Sequence, residues 1–137
     1  MRFIVIGLGL ALALLAESSA IYKARLSPLP ADARTRSVVT GIGSVTGTLS
    51  GTKLTITGSF EGLRSPATMA QVREGSVTGV RGTEIFTLMV TNAMSGSVSG
   101  SFDLTPQQVE SFRKGRMYVQ IDSEKVPDGN LWGWLLP

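Results

Sequence analysis

From Ser37 to the C-terminus one pattern recurs. Apolar and polar residues alternate over short runs, and Gly, Pro, Asn or Asp interrupts each run. A period of two puts neighbouring side chains on opposite faces of a strand. Leu54, Ile56, Gly58 and Phe60 alternate with Thr55, Thr57 and Ser59, which describes a strand with one wet face. Val38, Thr40, Ile42 and Ser44 alternate in the same way. Thr48 to Leu54 reads as a hairpin turning at Ser50-Gly51-Thr52. Thr68 to Arg73 and Thr83 to Thr91 are further strands, the second with Phe86, Leu88 and Val90 on one face. The predicted loops are Glu61–Ala67 and, longest of all, Glu74–Gly82. Ser97–Leu104, Arg116–Asp122 and Gly129–Leu136 complete the series. Short strands with a turn about every 8–12 residues fit an antiparallel sandwich or a barrel. The expected fold is all-β: a Greek-key, immunoglobulin-like β-sandwich with one short helix, preceded by an N-terminal hydrophobic helix. Its expected core is Leu54, Ile56, Phe60, Leu88, Phe102, Val109, Phe112, Val119, Ile121 and Leu131.

One helix interrupts the strands, at about residues 105–114. Thr105 is a good N-cap, Pro106 suits the first helical position, and Gln108 completes a Thr-x-x-Gln capping box. Val109 and Phe112 lie three apart and share a face. Arg113 and Lys114 sit at the negative end of the helix dipole, and Gly115 supplies a left-handed stop.

Residues 1–22 read as an export or anchoring segment. Arg2 precedes an apolar or Gly run from Phe3 to Ala16, and Ser18-Ser19-Ala20 suits a small-x-small cleavage site. The competing reading is an uncleaved membrane anchor, since Phe3–Tyr22 provides about 30 Å of helix, the thickness of a hydrocarbon core. Gly9, Ala13, Ala16 and Ala20 share one helical face, a pattern that lets membrane helices approach closely. Residues 23–36 read as a basic, Pro-containing linker, and residues 37–137 as the β-sandwich domain. The net charge is +3, and its position decides its meaning. Lys23, Arg25, Arg34 and Arg36 face only Asp32 in the linker, whereas basic and acidic residues balance from Ser37 onward. A nucleic-acid module would carry its basic stripe on the folded face, so no nucleic-acid partner is expected.

The sequence contains no His and no Cys. Imidazole and thiolate ligands are therefore absent, which argues against zinc, copper and iron–sulfur sites and against a Ser-His-Asp or Cys-His triad. Ser97, Ser99 and Ser101 have no base to activate them. No Gly-x-Gly-x-x-Gly precedes the helix, so a phosphate cradle has no support. The close carboxylates are Asp122, Glu124 and Asp128. They could offer oxygen ligands to Ca²⁺, but their spacing matches no defined loop, and a solvated acidic turn around Lys125 is the plainer reading. No cofactor and no catalytic activity are expected.

The C-terminal stretch carries a family pattern. Leu104-Thr105-Pro106-Gln107-Gln108, Gly115-Arg116-Met117-Tyr118-Val119, Pro127-Asp128-Gly129 and Gly133 follow one another around the helix. Upstream stands Gly62-Leu63-Arg64-Ser65-Pro66-Ala67-Thr68. Over roughly Val45 to Leu136 the chain resembles the CHRD domain, a module of chordin and of many bacterial exported proteins. The resemblance implies an extracytoplasmic β domain. It also exposes departures. Where the family pattern has a His-x-His pair, this chain has Gln71 and Arg73. Where a further His follows the Tyr-Val strand, it has Asp122, and the usual Gly-Glu-Ile-Arg-Gly ending is Gly129-Asn130-Leu131-Trp132-Gly133. Any role played by those histidines in relatives is absent here, and so is the copper–zinc centre of a Greek-key enzyme of superoxide dismutase type.

Trp132 and Trp134 stand where the family pattern has polar residues. In a strand they share one face, with Leu131, Gly133 and Leu135 on the other. In the family register they face outward and the leucines inward. Tyr118 and Gln120 share that outward sense on the preceding strand. Large exposed aromatics mark protein interfaces and membrane surfaces, so Trp132, Trp134, Tyr118 and Gln120 are the expected partner interface. The opposite register, with both indoles in the core, is the bland alternative. The functional expectation is a non-catalytic accessory or structural subunit of a larger membrane complex, of respiratory or photosynthetic type. It would be anchored in the bilayer with its domain in the periplasm or otherwise outside the cytoplasm. The alternative is a secreted binding module with a cleaved signal peptide.

Overall fold

The computed structural model describes residues 19–137. The strands are β1 (Ala20–Pro28), β2 (Ile42–Ser50), β3 (Lys53–Glu61), β4 (Ala67–Glu74), β5 (Thr83–Val90), β6 (Gly96–Asp103), β7 (Met117–Ser123) and β8 (Leu131–Trp134). One helix, α1 (Pro106–Arg113), joins β6 to β7. The strands close into an antiparallel barrel in the order β1-β2-β3-β6-β5-β4-β7-β8. Strands 4, 5 and 6 are hairpin neighbours, and β3 returns beside β6, which is Greek-key connectivity.

The expected sandwich is therefore corrected to a closed barrel, and β1 is the reason. Lys23–Pro28 was expected to be a tether, yet it pairs with β2 from Lys23↔Thr46 to Leu26↔Gly43 and with β8 at Ser27↔Trp132 and Pro28↔Leu131. Ala24 and Leu26 enter the core, while Lys23 and Arg25 alternate outward, so those charges lie on the barrel wall rather than on a linker. The sheet then has no free edge. Two seams remain narrow. Between β5 and β6 only Met89↔Ser99 and Val90↔Val98 pair, and Phe86 stacks on Phe102 at 4.4 Å nearby.

Strand β2 begins later than its alternation suggested. Residues 29–41 form the β1–β2 connection, and Asp32 organises its turn by accepting from the amides of Arg34 and Thr35. These bonds, that to Thr35 first, hold its carboxyl below the usual carboxylate range. The hairpin turn at Gly51 has φ +63°, a conformation that favours glycine.

The barrel interior is solid. Leu26, Leu54, Ile56, Val72, Val119, Ile121, Leu131 and Leu135 are fully buried in one cluster. Of the expected core, Phe102 and Val109 are only partly buried. The outward positions of β3 and β6 are Thr55, Thr57, Ser59, Ser97, Ser99 and Ser101, a polar exterior opposite in sense to the lipid-facing band of a membrane barrel.

Helix α1 crosses one end of the barrel. Its capping box forms in both directions: Thr105 Oγ1 accepts from the Gln108 amide at 3.2 Å, and Gln108 Oε1 accepts from the Thr105 amide at 2.9 Å. Phe112 is fully buried and meets Tyr22 of β1 at 4.3 Å between ring centroids. Gly115 takes φ +72° and ends the helix.

Candidate functional site

The outer face of β4, β7 and β8 is the chemically richest surface. Gln71↔Gln120 and Arg73↔Tyr118 are opposed across β4 and β7, and Tyr118↔Trp134 and Gln120↔Trp132 across β7 and β8. Opposed residues share a face, so all six side chains lie outside the barrel, together with Asp122. A wall position of this kind is normally wet. Here Gln71, Tyr118, Gln120 and Asp122 are buried, because two loops fold over them.

The β4–β5 loop covers the face from one end. The Gly82 amide donates to Tyr118 OH at 2.8 Å, and Arg73 Nη2 donates to the Gly82 carbonyl at 2.9 Å. The β7–β8 loop covers it from the other end, where Gln120 Nε2 donates to the Asp128 carbonyl at 3.3 Å. The two loops meet where Arg81 Nη2 donates to that same carbonyl at 3.0 Å.

Beneath them runs a continuous polar chain. Arg73 Nε donates to Tyr118 OH and Arg73 Nη1 to Gln71 Oε1, each at 3.3 Å. Gln71 Nε2 donates to Asp122 Oδ2 at 2.7 Å, and Gln120 Nε2 to Asp122 Oδ1 at 2.9 Å. Both carboxylate oxygens thus have amide donors, and the Gln71 side chain links the guanidinium to the carboxylate. Gln120 Oε1 is buried without a partner among the described residues. The amide cannot simply turn over, since that would set Oε1 against the carboxylate.

The aromatic residues border this network. Trp134 lies 4.2 Å from Tyr118 and Trp132 lies 5.9 Å from it, edge-on. Both indoles are half-buried, while Leu131 and Leu135 are fully buried. The register therefore sets the indoles outside and the leucines inside. Tyr118 and Gln120 share that side but lie under the chain's own loops, so they are not an open surface. This corrects the expectation that they stand free for a partner.

The candidate Ca²⁺ ligands do not converge. Asp122 is engaged by Gln71 and Gln120, whereas Glu124 is exposed and Asp128 turns only its backbone carbonyl inward. Among the described residues, no group of three His, Cys, Asp or Glu side chains could hold a metal. Gly9, Ala13 and Ala16 lie outside the described residues. Ala20, expected on the same helical face, begins β1 instead, so the small-residue stripe loses its last member. Among the described residues, no helix is long and apolar enough to cross a membrane.

A model of the CHRD domain matches residues 22–135. The chain belongs to the CHRD domain family. Comparison with curated proteins and with solved structures finds no match. The matched span begins inside β1 and ends beyond β8, so it takes in both strands that close the barrel. Gln71, Arg73 and Asp122, set apart in the sequence as departures from the pattern it resembles, interlock on this face.

Sequence reasoning singled out these three only as departures and missed that they meet. The available signal was their parity: each is a polar residue at an outward position next to an inward aliphatic one. Also missed was the Ser123–Asn130 pair. Ser123 Oγ donates to Asn130 Oδ1 at 2.7 Å, and Asn130 Nδ2 donates to the Thr40 carbonyl at 2.8 Å. Both side chains are fully buried, and they pin the β1–β2 connection to the β7–β8 corner.

Proposed function

We propose that this CHRD domain is a non-catalytic docking module that works outside the cytoplasm as an accessory subunit of a membrane complex. The observation that carries the reading is the sealed face. The Asp122 carboxylate has both oxygens hydrogen-bonded, the Arg73 guanidinium is engaged by three partners, and two loops lie across them. Acid–base or nucleophilic work needs a reactive group within reach of a substrate, and the network offers none. Among the described residues the barrel interior is filled by core side chains. What remains to act is the outer surface, and the apolar run of the sequence ends at Ala16, only four residues before β1 starts at Ala20. A retained run would hold the barrel directly against a bilayer.

A second reading, the released binding module, gains from one observation. Ala20, Ile21 and Tyr22 belong to β1 and Ser19 is not helical, so at most Phe3–Ser18 is left for a span, about 24 Å of helix against a hydrocarbon core of about 30 Å. Mass spectrometry of the native N-terminus, joined to carbonate extraction of membranes, separates the two. The anchored subunit keeps residues 1–20 and stays in the pellet. A mature chain starting at Ile21 in the soluble fraction would replace it with the released module.

A further inference from the structure

Large apolar side chains are exposed toward both ends of the barrel, and Ile42, Met69, Met89 and Met94 are those of the far end. What distinguishes the end at which the N-terminal run enters is that its own are drawn together. Four large apolar side chains are exposed around it: Ile21 at 57%, Val77 at 52%, Val80 at 46% and Leu136 at 41%. They come from three places in the sequence and are brought together by backbone contacts. Lys23 and Leu136 exchange both backbone hydrogen bonds, at 2.8 and 3.0 Å, and Ile21 shares the outward side of β1 with Lys23. The Leu136 side chain and the Thr78 hydroxyl flank Gly115, at 2.7 and 3.1 Å from where a Cβ would stand. Thr78 Oγ1 donates to the Gly115 carbonyl at 2.7 Å, which holds the Val77–Val80 turn beside the helix C-terminus. The ring of Trp134 reaches Gly75 at the base of the same loop.

Cations surround these apolar tips. Lys23, Arg113 and Lys114 are exposed and Arg116 is half-exposed. Tyr22 OH, at 3.4 Å from the Arg113 carbonyl, joins the cluster to β1. At this end Lys23, Lys53, Arg113, Lys114 and Arg116 stand against Glu74, Glu84, Asp103 and Glu110, with Lys114 paired to Glu110 at 2.7 Å, so the surplus of positive charge is a single unit. Apolar tips among cations, bordered by a Trp and a Tyr, are what an interfacial surface presents to lipid headgroups.

We infer that this end of the barrel rests on an anionic lipid surface, with the Val77–Val80 turn, Ile21 and Leu136 at headgroup depth. The place where the chain enters decides the occupant, and the cations beside it can meet headgroup phosphates. The segment outside the described residues joins β1 at this end, beside Ile21. The inference rests on the proposed position at a membrane and adds the orientation. The β4–β5 loop and the C-terminus face lipid, and the far loops, around Met94, face away.

The chain has no Cys, so single labels are clean. The full chain carrying Val77→Cys, labelled with nitrobenzoxadiazole, is mixed with phosphatidylcholine vesicles with and without phosphatidylglycerol. Met94→Cys is the reference, since Met94 is equally exposed at 52% but lies at the opposite end. The expected result is a blue-shifted, brighter emission from position 77, larger with phosphatidylglycerol, and none from position 94. Carbonate extraction of the same vesicles reports the anchor separately. A carbonate-resistant chain whose position 77 stays as wet as position 94 overturns the orientation while the anchor reading stands. Release by carbonate together with a shift at position 77 removes the anchor and supports the lipid-facing end. Release with no shift at either position overturns both.

Discussion

At the residue scale, Asp122 holds the sealed face together. Gln71 and Gln120 are buried amides whose donors both end on its carboxylate. Truncation to Ala leaves two buried N–H groups without an acceptor, and unmet buried donors cost about 1–3 kcal/mol each. Asp122→Ala is therefore expected to destabilise the barrel by about 2–4 kcal/mol, read as a lower urea midpoint. Asp122→Asn keeps one acceptor oxygen and should fall between. An unchanged midpoint for Asp122→Ala would mean that water replaces the carboxylate and that the loops are not sealed. The polar character of Gln71, Arg73 and Asp122, and their outward parity, were legible in the sequence. Their meeting was not, because it depends on the β4–β7 register and on loops arriving from opposite ends. The indoles show the same division. Alternation placed Trp132 and Trp134 outside, yet alternation says nothing about the cover over Tyr118 and Gln120.

At the element scale, local signals were read well and non-local ones poorly. Helix α1 was legible because its capping box, its Pro and its glycine stop act within one or two turns. Strand β1 was hidden for a physical reason. Only Ala24 and Leu26 mark its inward face, Lys23, Arg25 and Ser27 make the outward face polar, and Pro28 closes it, so a half-buried strand mimics a solvated tether. Its contact with β8 depends on Gly133. A Cβ there would stand 2.4 Å from the Arg25 carbonyl oxygen and 3.0 Å from Leu26 Cδ2. Backbone cannot swing aside as a flexible side chain can, so the strands must part. Gly133→Ala is expected to lower stability by about 1–3 kcal/mol, the usual range for overpacking. Amide exchange should quicken first in Arg25 and its β8 neighbours. Gly47→Ala, whose Cβ meets only the Ile56 and Leu135 side chains at 3.3 Å or more, is the milder comparison. Equal losses for the two would remove the claim that backbone crowding at the β1–β8 seam is decisive.

At the scale of the whole molecule, closure separates the barrel found from the sandwich expected. Strand number and turn spacing fit either architecture, and the sequence does not state whether the first and last strands meet. Here β1 reaches both β2 and β8, and removing it would leave two strands with unpaired backbone groups. It would also strip Ala24 and Leu26 from a core in which Leu135 and Leu131 are fully buried. Exposed edges of this kind recruit other chains. A chain beginning at Leu29 is therefore expected to associate or aggregate, whereas a chain beginning at Ile21 should remain a cooperative monomer. Size-exclusion chromatography with light scattering, joined to urea unfolding of both, makes the comparison. If the shorter chain stays monomeric and unfolds at the same midpoint, β1 is a dispensable strap and the remaining strands form a stable open sheet. If it associates, the barrel needs the strand that follows directly on the apolar run, and the attachment of the chain and the integrity of its fold share one segment.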